Sequence, residues 1–288
     1  MPEHATGSGR RFACVAVLLG LVVSACSTSD PGSVIKAEID TASGSEANID
    51  SLTAVIQRNP NDANGYNVRG TAYGKAGKLR EATADFDTAI RLNPNFYQAY
   101  ANRALVQRRL GREDLALADY NRSIQLNPSY DVAYIGRGNM YRQSKQPTLA
   151  LADFNQAIAL RTSDPRAYHN RALLYQSTGQ HQLAIDDFGK AIAMSPANLE
   201  PFEGRGLSYL AIGDYKAALE DFNEVVKRDR NSFTGWTNQG LALEKLGERD
   251  KAFAAFSKAA ALNPNYRPAL DGMKRTSPSN NSVARSTT

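Results

Sequence analysis

Cys26 is the residue whose setting most directly suggests a reaction. It follows Val23-Ser24-Ala25, behind an apolar run from Phe12 to Val23 that opens after Arg10 and Arg11. A thiolate there is a nucleophile that can be alkylated, with small residues on its N-terminal side to fit a processing peptidase. The only other cysteine is Cys14, within the apolar run, so no disulfide or thiolate metal set is expected beyond residue 26. Of the three histidines, His4 lies ahead of that run, leaving His169 and His181, too few for a His/Cys ligand cluster. Carboxylates are spread along the chain rather than paired in contrasting environments. The glycines recur at fixed spacing rather than forming a phosphate loop. These residues imply a non-enzymatic chain with no cofactor, no metal and no small-molecule substrate.

The remaining polar residues fall into columns, and the columns set the architecture. Tyr66, Tyr100, Tyr134, Tyr168, Phe202 and Trp236 stand 34 residues apart, and Phe86, Tyr120, Phe154, Phe188, Phe222 and Phe256 repeat the step twenty positions later. Small residues run in phase between them: Gly70, Ala104, Gly138, Ala172, Gly206 and Gly240, then Ala82, Ala116, Ala150, Ala184, Ala218 and Ala252. Each unit reads as two helices. A glycine (77, 111, 179, 213, 247; Lys145 in the third unit) ends the first helix, and Asn93-Pro94 or its counterpart ends the second. One such hairpin buries too little apolar surface to stand alone, so the units must stack.

The column set resembles the tetratricopeptide repeat (TPR) family over residues 63–266, as six units at 63–96, 97–130, 131–164, 165–198, 199–232 and 233–266. The expected fold is an all-α solenoid, a right-handed superhelix by the resemblance. Residues 46–62 match only the second half of a unit and should cap the N-terminal side. A short helix over 267–275 should cap the other end, followed by a tail at 276–288 whose composition cannot build a core. Arg69, Arg103, Arg137, Arg171 and Arg205 fall three residues after each first aromatic, and Asp85, Asp119, Asp153, Asp187 and Asp221 one before each second. The sixth unit loses both members together, with Gln239 and Ala255, which predicts an ion pair inside each unit rather than between units.

In the family, first helices line the concave face where extended peptides or partner helices lie. The resemblance implies a groove containing Asn67, Asn102, Asn139, His169, Asn170, Thr237 and Asn238. Asn102, Asn170 and Asn238 are similar to the asparagine ladder by which some TPR proteins hold a peptide backbone, an amide offering donor and acceptor together. Val68, Gly136 and Gly204 interrupt that ladder, and the alternative is that these polar residues only solvate the surface. Ala101, Ile135 and Glu203 disfavour the carboxylate clamp of chaperone-binding members. A basic group, Arg108, Arg109, Arg112, Arg142 and Lys145, reads either as a patch for an acidic partner or as solvated helix ends.

The start of the chain reads as an export signal over residues 1–25. Its apolar run is shorter than the roughly 20 residues that cross a bilayer. Val23-Ser24-Ala25-Cys26 resembles the lipobox of bacterial lipoproteins, in which the cysteine is lipidated and becomes the new N-terminus; ordinary cleavage after Ala25 is the alternative. By the same resemblance Ser27 implies delivery to the outer membrane, and residues 26–45 read as a tether. Formal net charge is +5, with acids and bases mixed along every unit, which with export argues against a nucleic-acid partner. The expectation is a membrane-tethered scaffold for envelope proteins. The alternative is a scaffold within a polysaccharide-export or secretin/pilus assembly at the outer membrane.

Overall fold

Each hairpin is built by two stop signals of different chemistry. The computed structural model describes residues 44–277; the signal, Cys26, most of the tether and the tail after Ser277 lie outside them. In the first full unit, α2 (Ala63–Lys75) begins where Asp62 accepts from the Asn64 amide at 2.9 Å. It ends at Gly77, whose φ of 77° lets the Lys78 amide turn back to the Tyr73 carbonyl at 2.9 Å. The same closure recurs in every unit, and in the third Lys145 takes the left-handed position at φ 56°. The second helix, α3 (Leu79–Leu92), stops at Asn93, whose side chain accepts from the Asn95 amide at 3.1 Å. The fifth unit, lacking the proline, makes the same turn with Asp229 accepting from Asn231. The third differs: its second helix stops one residue early, Arg161 takes a φ of 56° and Asp164 caps the next helix.

The units continue as α4 (Tyr97–Arg109) and α5 (Glu113–Leu126), α6 (Asp131–Gln143) and α7 (Pro147–Ala159), and α8 (Pro165–Ser177) and α9 (His181–Met194). They end with α10 (Glu200–Ile212) and α11 (Tyr215–Arg228), then α12 (Phe233–Lys245) and α13 (Arg249–Leu262). α1 (Glu46–Arg58) packs on α2, and α14 (Arg267–Thr276) on α13 and α12, giving fourteen helices and no strand among the described residues. Beyond capping by its polar face, α14 buries Ala269, Gly272 and Thr276, and Arg275 forks onto Glu244 with two bonds of 2.8 Å.

The core is a column of rings. Phe86, Phe154, Phe188, Phe222 and Phe256 are essentially inaccessible, and the alanines of the second small column are fully buried. Each ring wedges between the first helix of its own unit and that of the next. A Cβ on Gly138 would lie 2.8 Å from the Phe154 ring, so a larger side chain would push the helices apart. First helices of neighbouring units also pack side by side (α2 on α4, α4 on α6, and on to α12 on α14), forming the inner wall of the solenoid.

The Arg and Asp columns lie in the seam between the two helices of a hairpin. Nε and Nη2 of Arg69, Arg103, Arg137, Arg171 and Arg205 fork onto the carboxylate of the same unit at 2.6–2.9 Å. The carboxylates are buried. Four of the arginines also reach the preceding unit through Nη1, to Thr53, Asp87, Asn121 and Asn155 at 2.6–3.1 Å. Gln239 keeps only that reach, donating to Asn223 at 2.7 Å, and Arg205 loses it because Gly189 stands at the accepting position. The sequence columns thus hold two interactions. The ion pair shared by all five is internal to a unit, and the third nitrogen joins the units, in Arg103 through a second ion pair to Asp87 at 2.6 Å.

Candidate functional site

The groove begins with the register of the first helices. Residues two, five, six, nine and twelve places into units two to five face the inner wall, and part of that set surrounds a cavity of about 450 Å³. α4 contributes Asn102, Leu105 and Arg108; α6 contributes Val132, Gly136, Asn139 and Arg142; α8 contributes Arg166, His169 and Asn170. Glu200 stands at the far end. Tyr120, from the second helix of unit two, enters over Gly136: a Cβ there would fall 2.4 Å from its Cζ. Every other ring of that column is a phenylalanine, so the hydroxyl is peculiar to this place.

The cavity joins residues that the sequence placed in separate groups. Asn102, Asn139, His169 and Asn170 lie in one wall with Arg108 and Arg142. Asn67 stands at its edge and accepts from Asn102 Nδ2 at 3.0 Å. Asn238 is half-buried two units away, outside this cavity. Thr237 does not line the groove. At the fifth position of its unit it is 2% exposed and donates to the Phe233 carbonyl at 2.8 Å, buried in the packing of its own unit. Ala101 and Ile135 share that register and are buried too, leaving no place for clamp cations there.

The basic group is split. Arg109 donates to the Gly74 carbonyl of the preceding unit at 2.6 Å, Arg112 makes a long bond to Gln107 at 3.4 Å, and Lys145 is exposed on its left-handed turn. Only Arg108 and Arg142 enter the cavity. Arg142 donates to Asn139 Oδ1 at 2.9 Å, while its buried Nε has no partner among the described residues. Burial, with Arg108 nearby, pushes its guanidinium below the usual value. His169 packs edge-on to Phe188 at 5.7 Å, and its Nδ1 is likewise buried without a partner. Burial lowers its pKa, Glu200 opposing and Arg142 adding to the effect. Sequence reasoning missed Tyr120, Arg166 and Glu200. The signal was present: Val132, Arg166 and Glu200 are in 34-residue register, and Tyr120 alone departs from phenylalanine in its column after the first unit.

A stack of helix hairpins with an open polar groove along its first helices defines an α-solenoid repeat protein. Tetratricopeptide repeat models match residues 67–131 and 204–267, 138–179 and 165–198, and the chain belongs to the tetratricopeptide repeat family. Among solved structures it is similar to the Cut9–Hcn1 hetero-tetramer of the APC/C (21% identity, TM-score 0.69), covering 84% of this chain and only 48% of that one. It is similar to YrrB, described as a TPR protein with an unusual peptide-binding site (24%, TM-score 0.58, 66% of this chain and 97% of that). It is also similar to PilW, a type IV pilus biogenesis factor (19%, TM-score 0.66, 73% and 97%). Likenesses at this identity carry the fold alone. No curated protein matches the chain significantly.

Proposed function

We propose that the chain is an exported, lipid-anchored, non-enzymatic scaffold that holds an extended segment of a partner protein in the groove of units two to four. The observation that carries this reading is the cavity where Asn102, Asn139 and Asn170 converge from three successive first helices. Amides so placed can pair with both the N–H and the C=O of a peptide backbone without demanding a sequence. Export and anchoring rest on the run from Arg10 to Cys26. Among the described residues no helix is long and apolar enough to cross a membrane. A diacylglyceryl group with a further acyl chain would hold the protein at a bilayer as one chain does not. An anchored adaptor of this kind suits an assembly process such as type IV pilus biogenesis, for which PilW is a factor.

The test is capture of envelope partners by the full chain. Asn102, Asn139 and Asn170 changed together to Ala should weaken capture about tenfold or more, at about 0.5–1.5 kcal/mol per lost hydrogen bond, with helicity unchanged. Undiminished capture by that variant sinks the groove reading. Cys26→Ser should abolish acyl labelling and leave the protein unprocessed; mature protein starting at residue 27 or later, without acyl mass, sinks the anchor.

A further inference from the structure

The cavity contains more positive charge than the structure neutralises. Arg166 is held by its neighbour Asp164, its Nε lying 2.9 Å from both oxygens. Arg108 and Arg142 have no carboxylate within ion-pair reach among the described residues, and Arg108 is close enough to disfavour the charge on Arg142. Seam arginines of the same chain each grip an aspartate, so the lack is local. Two further features lie beside these arginines. Arg142 Nε is buried with no partner among the described residues, and Tyr120 brings a hydroxyl over Gly136, under the influence of Arg108 and Arg166. The one carboxylate in the lining, Glu200, is exposed and lies against His169 Nε2 at 3.8 Å instead. A guanidinium pair with a nearby phenol supplies several N–H donors and one O–H, the complement of a single carboxylate.

We infer that Arg108 and Arg142, with Tyr120 and Asn139 beside them, form a subsite for the side-chain carboxylate of an aspartate or glutamate within an extended partner peptide. The inference rests on the groove reading above and deepens it. A side chain fits better than a chain terminus because first helices continue the wall on both sides of the cavity, so a backbone can enter and leave. The asparagines hold the main chain and the arginines read one acidic residue. The groove therefore has a preferred register, which amides alone would not give it.

The test is selection on the full chain from random twelve-residue peptides capped at both ends, followed by fluorescence anisotropy. Retained peptides should be enriched in Asp or Glu. Replacing that residue by Asn or Gln, or making the Arg108→Gln/Arg142→Gln variant, should each cost about tenfold or more in affinity, and the two losses should not add. Lys145→Gln, which removes an exposed charge outside the cavity, should change nothing. If the double variant loses helicity, Arg142→Glu tested against the peptide with Lys at the acidic position replaces it, and recovered binding supports the subsite. Binding indifferent to the arginines but lost in the triple asparagine variant overturns the subsite and leaves the groove standing. Binding that appears only when the peptides are uncapped at the C-terminus assigns the site to a terminal carboxylate and overturns the side-chain reading. Retention of a uronic-acid oligosaccharide and no peptide, or of neither probe, overturns both readings.

Discussion

The arginines of the seam and those of the groove are the same side chain put to opposite uses. In the seam, Arg137 forks onto Asp153 at 2.7–2.9 Å, reaches Asn121 with its third nitrogen and lies over Tyr134 and Tyr141 at 5.7 and 5.9 Å. All three nitrogens are engaged within the protein, and the aspartate raises the arginine above its usual pKa. Five residues along the same helix, Arg142 has one side-chain hydrogen bond among the described residues, to Asn139, and a like-charged neighbour, and its pKa moves the other way. Burial is similar, so burial does not separate them. The partner does.

The sharpest way to break that contrast is to remove a partner in the seam. Asp153→Ala strands a guanidinium that is 20% exposed and should cost about 2–4 kcal/mol, read as a fall in the urea midpoint. Hydrogen-exchange protection should drop in unit three and its neighbours more than at the ends. Arg142→Gln should leave the midpoint unchanged or raise it, because the burial cost and repulsion it relieves offset the one bond to Asn139 that it removes. Equal losses in the two variants would erase the distinction.

A smaller effect sharpens where the groove floor is fixed. Gly136→Ala puts a methyl 2.4 Å from Tyr120 Cζ and should destabilise by about 1–3 kcal/mol. Gly74→Ala, whose Cβ would meet only Val106 at 3.5 Å, should stabilise by up to about 1 kcal/mol. Chemical denaturation of the pair decides whether Gly136 is there to admit the tyrosine. Smallest of all, Lys145→Gly should raise stability by about 0.5–1 kcal/mol, since φ is 56° there and glycine enters that region freely. An unchanged melting temperature would mean that Lys145 makes an offsetting contact.

The fold was legible because packing repeats. Each buried ring needs the same small neighbours, so Phe86 and Gly70 recur as Phe256 and Gly240, and the loss of Arg and Asp together in unit six exposed the ion pair. The joining role of Nη1 was not legible, because its acceptors (Thr53, Asp87, Asn121, Asn155) share geometry rather than identity. The groove was half legible. Asn102, Asn139 and Asn170 were found by register, whereas Thr237 was misplaced because a polar residue at the fifth position can satisfy itself on its own helix. Arg108 and Arg142 could be seen as neighbours, but Arg109 and Arg112 looked alike in sequence. Only side-chain direction on the helix separates them.

Because each Arg–Asp bracket closes inside 34 residues, the array can be lengthened or shortened by whole units without stranding a charge. The acceptor for the third nitrogen is supplied by threonine, aspartate or asparagine alike, so a duplicated unit would find a tolerable neighbour almost anywhere. A pocket assembled from three consecutive units has no such freedom. Removing a unit from the end of this solenoid would leave the pocket whole, while removing any of units two to four would take one of its walls away.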